Sequence, residues 1–227
     1  MTQDAPLVEA DTSPTRPPDP PAKRSWRSSL ALALFTVSAL LGSVWIANKV
    51  SNPLNLYGTA LPANKLAPPL SGTGDDAKPL ALTDLSGQTV AVFFGFLNCP
   101  NICPTTLAAL ERVRQTLPAD RQANFVPLLI SVDPKRDTVS KLNEYVKYFN
   151  PQARGMIIPE PQLAEGAKAW GVGYQYVDVK GPLEYQVNHT TGVYLVDARG
   201  RLRLVWDYTQ VTTNPERVAQ DVVAVMK

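Results

Sequence analysis

Two thiols and one imidazole stand out as metal-binding chemistry: Cys99 and Cys103 are the only cysteines, and His189 is the only histidine. The thiols close an apolar run, Phe93-Phe94-Gly95-Phe96-Leu97-Asn98-Cys99-Pro100-Asn101-Ile102-Cys103-Pro104. The imidazole lies far downstream in Val187-Asn188-His189-Thr190-Thr191-Gly192. Thiolates select Cu(I), zinc or iron–sulfur clusters, and imidazole suits copper or zinc. A closed structural zinc site wants four Cys or His ligands, and a four-cysteine cluster fails on the same count. Three donors suit trigonal Cu(I), or Cu(II) completed by an oxygen or water. The other use of a cysteine pair is a disulfide. A bridge closing so short a loop constrains the unfolded chain little, so a purely stapling role is a poor reading. A redox-active pair stays open.

The residues around the motif must position it. Residues 89–96 form a continuous apolar, β-rich run, as expected for a buried parallel strand. Pro104 fits the first turn of a helix over 105–117. A helix start stabilises negative charge, so a thiol beside it ionises more readily. Pro100 and Pro104 restrict the intervening loop. Residues 124–132 read as a second buried strand, ended by Asp133-Pro134. Asp137 or Thr138 is placed to cap a helix over 139–149. A weaker helix is expected over 162–170 and strands over 174–179 and 192–196. Asp197-Ala198-Arg199-Gly200 turns the chain into a strand over 202–208, and a helix closes it over 215–225. Strands separated by helices imply right-handed parallel crossovers, and the late hairpin adds antiparallel strands. A cysteine pair between a first strand and its helix suggests an α/β, thioredoxin-like domain. His189 then falls near the strand ends that frame a site.

Composition narrows the function classes. The chain has 227 residues and a net charge of +2, with no basic block, so nucleic acid is not expected as a partner. Many of its 21 prolines precede residue 80. Residues 1–28 read as a disordered, cytoplasmic segment, and residues 49–79 as a Pro-rich tether and lead-in to a domain over 80–227. Between them, residues 29–48 read as a single transmembrane signal anchor. The stretch 30–47 carries no charge, and as a helix it reaches about 27 Å. Trp26 and Trp45 flank it, and Lys23, Arg24 and Arg27 precede it. The positive-inside rule places the chain beyond the anchor outside the cytoplasm. A cleaved signal peptide and a buried core helix are the alternatives. The long leading segment and the all-round apolar character favour the anchor. Acids near the start are unlike a mitochondrial presequence, which points to a bacterial inner membrane with the domain in the periplasm.

Three motifs in order carry a family resemblance. They are Phe94 to Pro104, then Ser131-Val132-Asp133-Pro134-Lys135-Arg136-Asp137-Thr138, then Asn188-His189-Thr190 with Tyr194-Leu195-Val196-Asp197-Ala198-Arg199-Gly200. Over about residues 80–227 the sequence resembles the SCO1/SenC family. The resemblance implies a thioredoxin-like fold with a central mixed sheet flanked by helices, behind one N-terminal transmembrane helix. It implies one copper per chain, Cu(I) or Cu(II), held by Cys99, Cys103 and His189. Cys99 and Cys103 would also be the redox disulfide pair, and Asp133 an auxiliary group. The partners implied are a periplasmic copper donor and the CuA site of cytochrome c oxidase subunit II, or another copper acceptor, served by copper delivery, by reduction of acceptor cysteines, or by both. No catalytic residue is assigned. Asn101 stands where the family commonly has Asp, Phe96-Leu97-Asn98 replaces a more usual Tyr-Thr-x run, and the lead-in hairpin before Thr89 looks short. The alternative is a periplasmic thiol–disulfide oxidoreductase without obligatory metal; the lack of a proline before the strand facing the motif speaks against it. A peroxidase and a sensor with a signalling tail are weaker readings.

Overall fold

The computed structural model describes residues 26–51 and 56–226. The expected cytoplasmic segment lies almost wholly outside them. The chain divides into two compact units between Asn48 and Lys49. The first contains all but the last three residues of helix α1 (Trp26–Ser51). Its segment Ser29–Ala47 has a mean hydropathy of 2.1 and is unburied, the only described helix long and apolar enough to cross a membrane. Apolar residues occur all round it rather than in one stripe, which suits lipid rather than a protein groove.

The second unit is built on a sheet. Its elements in chain order are β1 (Thr59–Ala60), β2 (Ser71–Gly74), β3 (Pro79–Ala81), a 3-10 turn (Leu82–Leu85), β4 (Thr89–Gly95), α2 (Ile102–Thr116), α3 (Ala119–Gln122), β5 (Phe125–Ser131) and α4 (Val139–Phe149). They continue as β6 (Arg154–Ile157), α5 (Gln162–Ala169), β7 (Tyr174–Gly181), β8 (Glu184–His189), β9 (Val193–Val196), β10 (Leu202–Trp206), α6 (Tyr208–Thr213) and α7 (Pro215–Val225). Eight strands form one mixed sheet in the order β1-β10-β9-β4-β5-β6-β2-β3, and β7 and β8 form a separate hairpin. β4 runs parallel to β5 and antiparallel to β9. This is the thioredoxin-like arrangement expected.

β4 and β5 are apolar throughout because both faces of the sheet are covered. Val90, Val92 and Phe94 pack on one side with Leu163, Trp170, Tyr185 and Val187. Ala91 and Phe93 pack on the other with Leu107, Leu110, Val113, Leu142, Val218 and Val222. The chain ends against the opposite edge of the core from the cysteines: Val225 and Met226 line a cavity with Gly87, Thr89, Asn124 and Asp197, beside the starts of β4 and β5.

Several elements differ from the sequence reading. Residues 59–79 are not only a lead-in to a domain beginning at 80. β1 pairs with β10, and β2 bridges β3 and β6, so the folded unit begins before residue 60. Proline and glycine hide such short strands, which edge positions tolerate. Helix α2 begins at Ile102, three residues before the expected start, and takes Cys103 into its first turn. Strands β6 and β8 and helices α3 and α6 are additional. β8 alternates exposed and buried residues from Glu184 to Val187, but its two apolar residues are too few to signal a strand.

Candidate metal centre

The carboxyl end of β4 delivers the cysteine loop, and the start of α2 receives it. Gly95 is needed there for close approach: a Cβ would sit 2.7 Å from Cys103 Sγ and 3.0 Å from Leu129. Cys103 is 1% exposed and Cys99 half-buried, and the two are not bridged. Asn101 caps α2 without its side chain accepting from a backbone N–H of the helix; its Oδ1 accepts instead from the Thr105 hydroxyl. The Cys103 backbone N–H in that first turn donates to Cys99 Sγ at 3.3 Å. The Cys99 sulfur therefore takes the place of a capping acceptor. Free helix N–H groups and the dipole favour a negative sulfur at this position.

The hairpin β7–β8 brings the imidazole. His189 pairs with Tyr174, and Thr190 N–H donates to the Gly173 carbonyl at 2.9 Å. His189 Nδ1 lies 2.9 Å from the Thr190 carbonyl. A carbonyl only accepts, so Nδ1 carries the proton and Nε2 presents a lone pair. Nε2 lies 3.8 Å from Cys103 Sγ, and Phe96 packs edge-on against the ring at 5.7 Å. The ligand atoms of Cys99, Cys103 and His189 all lie within 4.8 Å of one another. Metal bonds of about 2.0–2.3 Å place trigonal donors roughly 3.5–4 Å apart. The three residues fit a single ion with a contraction of at most about 1.3 Å.

The two thiols titrate as a pair. Cys99 is held well below the usual thiol range, mainly because the Cys103 thiol donates to it. Burial opposes this, while the N–H groups of Cys103 and Asn101 assist. Cys103 is pushed far up by that shared proton, by burial and by the charge on Cys99. At neutral pH the site holds one thiolate and one thiol. The outer sulfur is nucleophilic and the inner one keeps its proton until a metal or an oxidant removes it.

Asp133 touches neither cysteine. It is fully buried, accepts from Tyr185 Oη at 2.6 Å, and pairs with Arg136. Arg136 also donates to the Tyr185 carbonyl at 2.8 Å and lies 3.9 Å over its ring. Asp133 thus grips the strand that ends at His189. The carboxylate nearer the thiols is Asp137, which sequence reasoning read only as a cap. Thr138 takes the capping role on α4. Asp137 is buried, accepts from Ser131 Oγ at 2.6 Å, and reaches the Leu97 N–H at 3.3 Å. Burial, reinforced by Asp133, lifts its carboxyl to about 6, against the pull of Ser131, Leu97 and Arg136. The signal was an Asp-Thr pair before a helix: only one of the two can cap, which frees the other.

A sequence model of the SCO1/SenC family matches residues 59–227. The chain belongs to the SCO1/SenC family. It is 30% identical over 220 residues to the mitochondrial SCO2 homologue of Bos taurus, covering 94% of this chain and 79% of that one. The solution structure of apo Sco1 from Thermus thermophilus superposes with a TM-score of 0.68 at 35% identity, covering 76% of this chain and 98% of that one. Copper-bound ScoI of Bradyrhizobium japonicum gives 0.63 at 27% identity, covering 71% and 99%. In this SCO1/SenC protein a dithiol and an imidazole come together, and soft thiolates with an imidazole are donors that suit copper.

Proposed function

We propose that this chain is a membrane-anchored metallochaperone. It carries one copper ion on Cys99, Cys103 and His189 and assists assembly of the CuA centre of cytochrome c oxidase. The observation that carries this reading is the convergence of the chain's only two thiols and only imidazole within 4.8 Å. Cys99 and His189 are partly exposed, so the cargo can leave to an acceptor. Soft donors favour Cu(I), and the tautomer fixed by Thr190 leaves Nε2 free to ligate. Asp133, through Tyr185, steadies the strand that presents His189. The acceptor is subunit II of the oxidase, and a periplasmic donor supplies the ion. Helix α1 acts as an uncleaved, single-pass anchor in a bacterial inner membrane, with the second unit in the periplasm and residues 1–28 in the cytoplasm. Tethering raises the effective concentration at an acceptor in the same bilayer.

The test is copper titration of the reduced full chain in detergent. One equivalent should bind, Cys99→Ala and Cys103→Ala should abolish binding, and His189→Ala should weaken it and change the copper spectrum. Retention of one equivalent by either cysteine variant would refute the reading. The low-lying Cys99 thiol next to a protonated partner also supports a second role, in which the pair reduces acceptor cysteines and closes a disulfide. If that role alone matters in the cell, His189→Ala keeps oxidase assembly intact while both cysteine variants lose it.

A further inference from the structure

The hairpin that carries His189 closes on an exchanged hydrogen bond. In an antiparallel ladder the two residues of a hydrogen-bonded pair donate their N–H groups to each other's carbonyls. Gly173 and Thr190 face each other one step beyond the Tyr174–His189 pair. The Thr190 N–H donates to the Gly173 carbonyl at 2.9 Å, as the pattern requires. The return bond differs. The Gly173 N–H donates to Thr190 Oγ1 at 3.0 Å, and no bond runs from it to the Thr190 carbonyl. That carbonyl accepts from His189 Nδ1 at 2.9 Å instead. The threonine hydroxyl therefore stands in for its own main-chain oxygen, and it donates weakly to the Gly173 carbonyl at 3.4 Å. Threonine side chains compete with main-chain groups in this way. Without the hydroxyl, the nearest acceptor left to the Gly173 N–H in the ladder pattern is the Thr190 carbonyl.

We propose that Thr190 is a positioning residue for the copper site: its hydroxyl takes the Gly173 N–H and so frees its carbonyl to keep the imidazole proton on Nδ1. A hydrogen bond at one ring nitrogen decides what the other can do. With Nδ1 donating to the carbonyl, Nε2 keeps its lone pair, and it lies 3.8 Å from Cys103 Sγ. Phe96 packs edge-on against the ring at 5.7 Å and limits its swing. A phenyl edge offers no acceptor, so it cannot choose between the two nitrogens. The carbonyl makes that choice. The hydroxyl itself bonds only to Gly173 and acts through the carbonyl and the ring. The inference rests on the copper-carrying role of His189.

The experiment compares the full-length wild type in detergent with two variants. Thr190→Val keeps the branched shape and loses the hydroxyl; Thr190→Ser keeps the hydroxyl. His189 is the only histidine, so nitrogen-labelled histidine gives a single imidazole to read by NMR in the reduced, metal-free chain. In mildly alkaline buffer, wild type and Thr190→Ser should carry the proton on Nδ1, and Thr190→Val should show a mixture of tautomers. Cu(I) affinity against a chromogenic chelator should fall about tenfold in Thr190→Val, the low end for loss of a group supporting a ligand, and Thr190→Ser should restore it. In a His189→Ala background the same Thr190→Val change should alter affinity by less than about twofold. An unchanged tautomer in Thr190→Val, no rescue by Thr190→Ser, or an equal loss without the imidazole overturns the proposal. So does a Thr190→Val chain that has lost cooperative unfolding, because the hydroxyl would then be a structural tie. Copper retained by Cys99→Ala would instead defeat the parent reading, and the metal-free spectra keep the two failures apart.

Discussion

Asp197 and Asp137 are both buried carboxylates at opposite ends of the central strands, and they are treated differently. Asp197 sits in the β9–β10 turn. It accepts from the N–H groups of Arg199 and Arg201 at 2.9 and 3.0 Å, and from the guanidiniums of Arg201 and Arg203 at 2.8 and 3.0 Å. Burial alone would raise its carboxyl, but these donors outweigh burial and hold it below the usual range. Asp137 sits beneath the cysteine loop with a serine hydroxyl and one long contact to a backbone N–H, and its carboxyl rises to about 6. One end is a charged clamp. The other leaves negative groups undercompensated, as a site that receives a cation requires.

The largest effect should come from breaking the clamp. Asp197→Ala leaves two arginines and two N–H groups without their acceptor. Partly exposed guanidiniums recover some solvation, so a loss of about 2–3 kcal/mol is expected in denaturant unfolding, with copper stoichiometry unchanged. Asp137→Asn should behave oppositely. A carboxyl raised in the folded state weakens the fold as pH rises from the unfolded value, about 3.9, through about 6. The variant should match or exceed wild-type stability at pH 7 and lack the decline expected of wild type between about pH 4 and 6. A loss above about 3 kcal/mol at pH 7 would show that Asp137 is a structural clamp after all. For Asp197, whose titration is lowered, the contribution is present above about pH 3.9 and disappears as pH falls through the folded value. The smallest effect is expected of Asn101→Asp. Asn and Asp cap equally well, so stability should stay within about 0.5 kcal/mol. The added charge near the helix start opposes the Cys99 thiolate, so thiol alkylation followed against pH should show its titration moved upward.

Much of this was legible in the chain before the fold was known. The apolar runs that became β4 and β5 are buried on both faces and could be little else. The spacing of Leu142, Tyr145, Val146 and Phe149 marked α4 to the residue. The proposed ligand set came from scarcity, since the chain has two thiols and one imidazole to choose from. What stayed hidden depends on contacts distant in sequence. β8 is recognisable only through its pairing with β7, and β1 only through β10. The division of labour between Asp133 and Asp137 needs Tyr185 and Leu97, 52 and 40 residues away. Thr190 read only as part of a motif, because the ladder bond its hydroxyl takes over comes from Gly173, 17 residues away.

The closing helix ends beside the start of β4, whereas the sulfurs lie beyond its finish. Seven residues of extended chain, roughly 20 Å, separate the two. A purification tag or surface linkage joined at the C-terminal end of the chain would therefore hang from the rear of the domain and leave the proposed copper site uncovered.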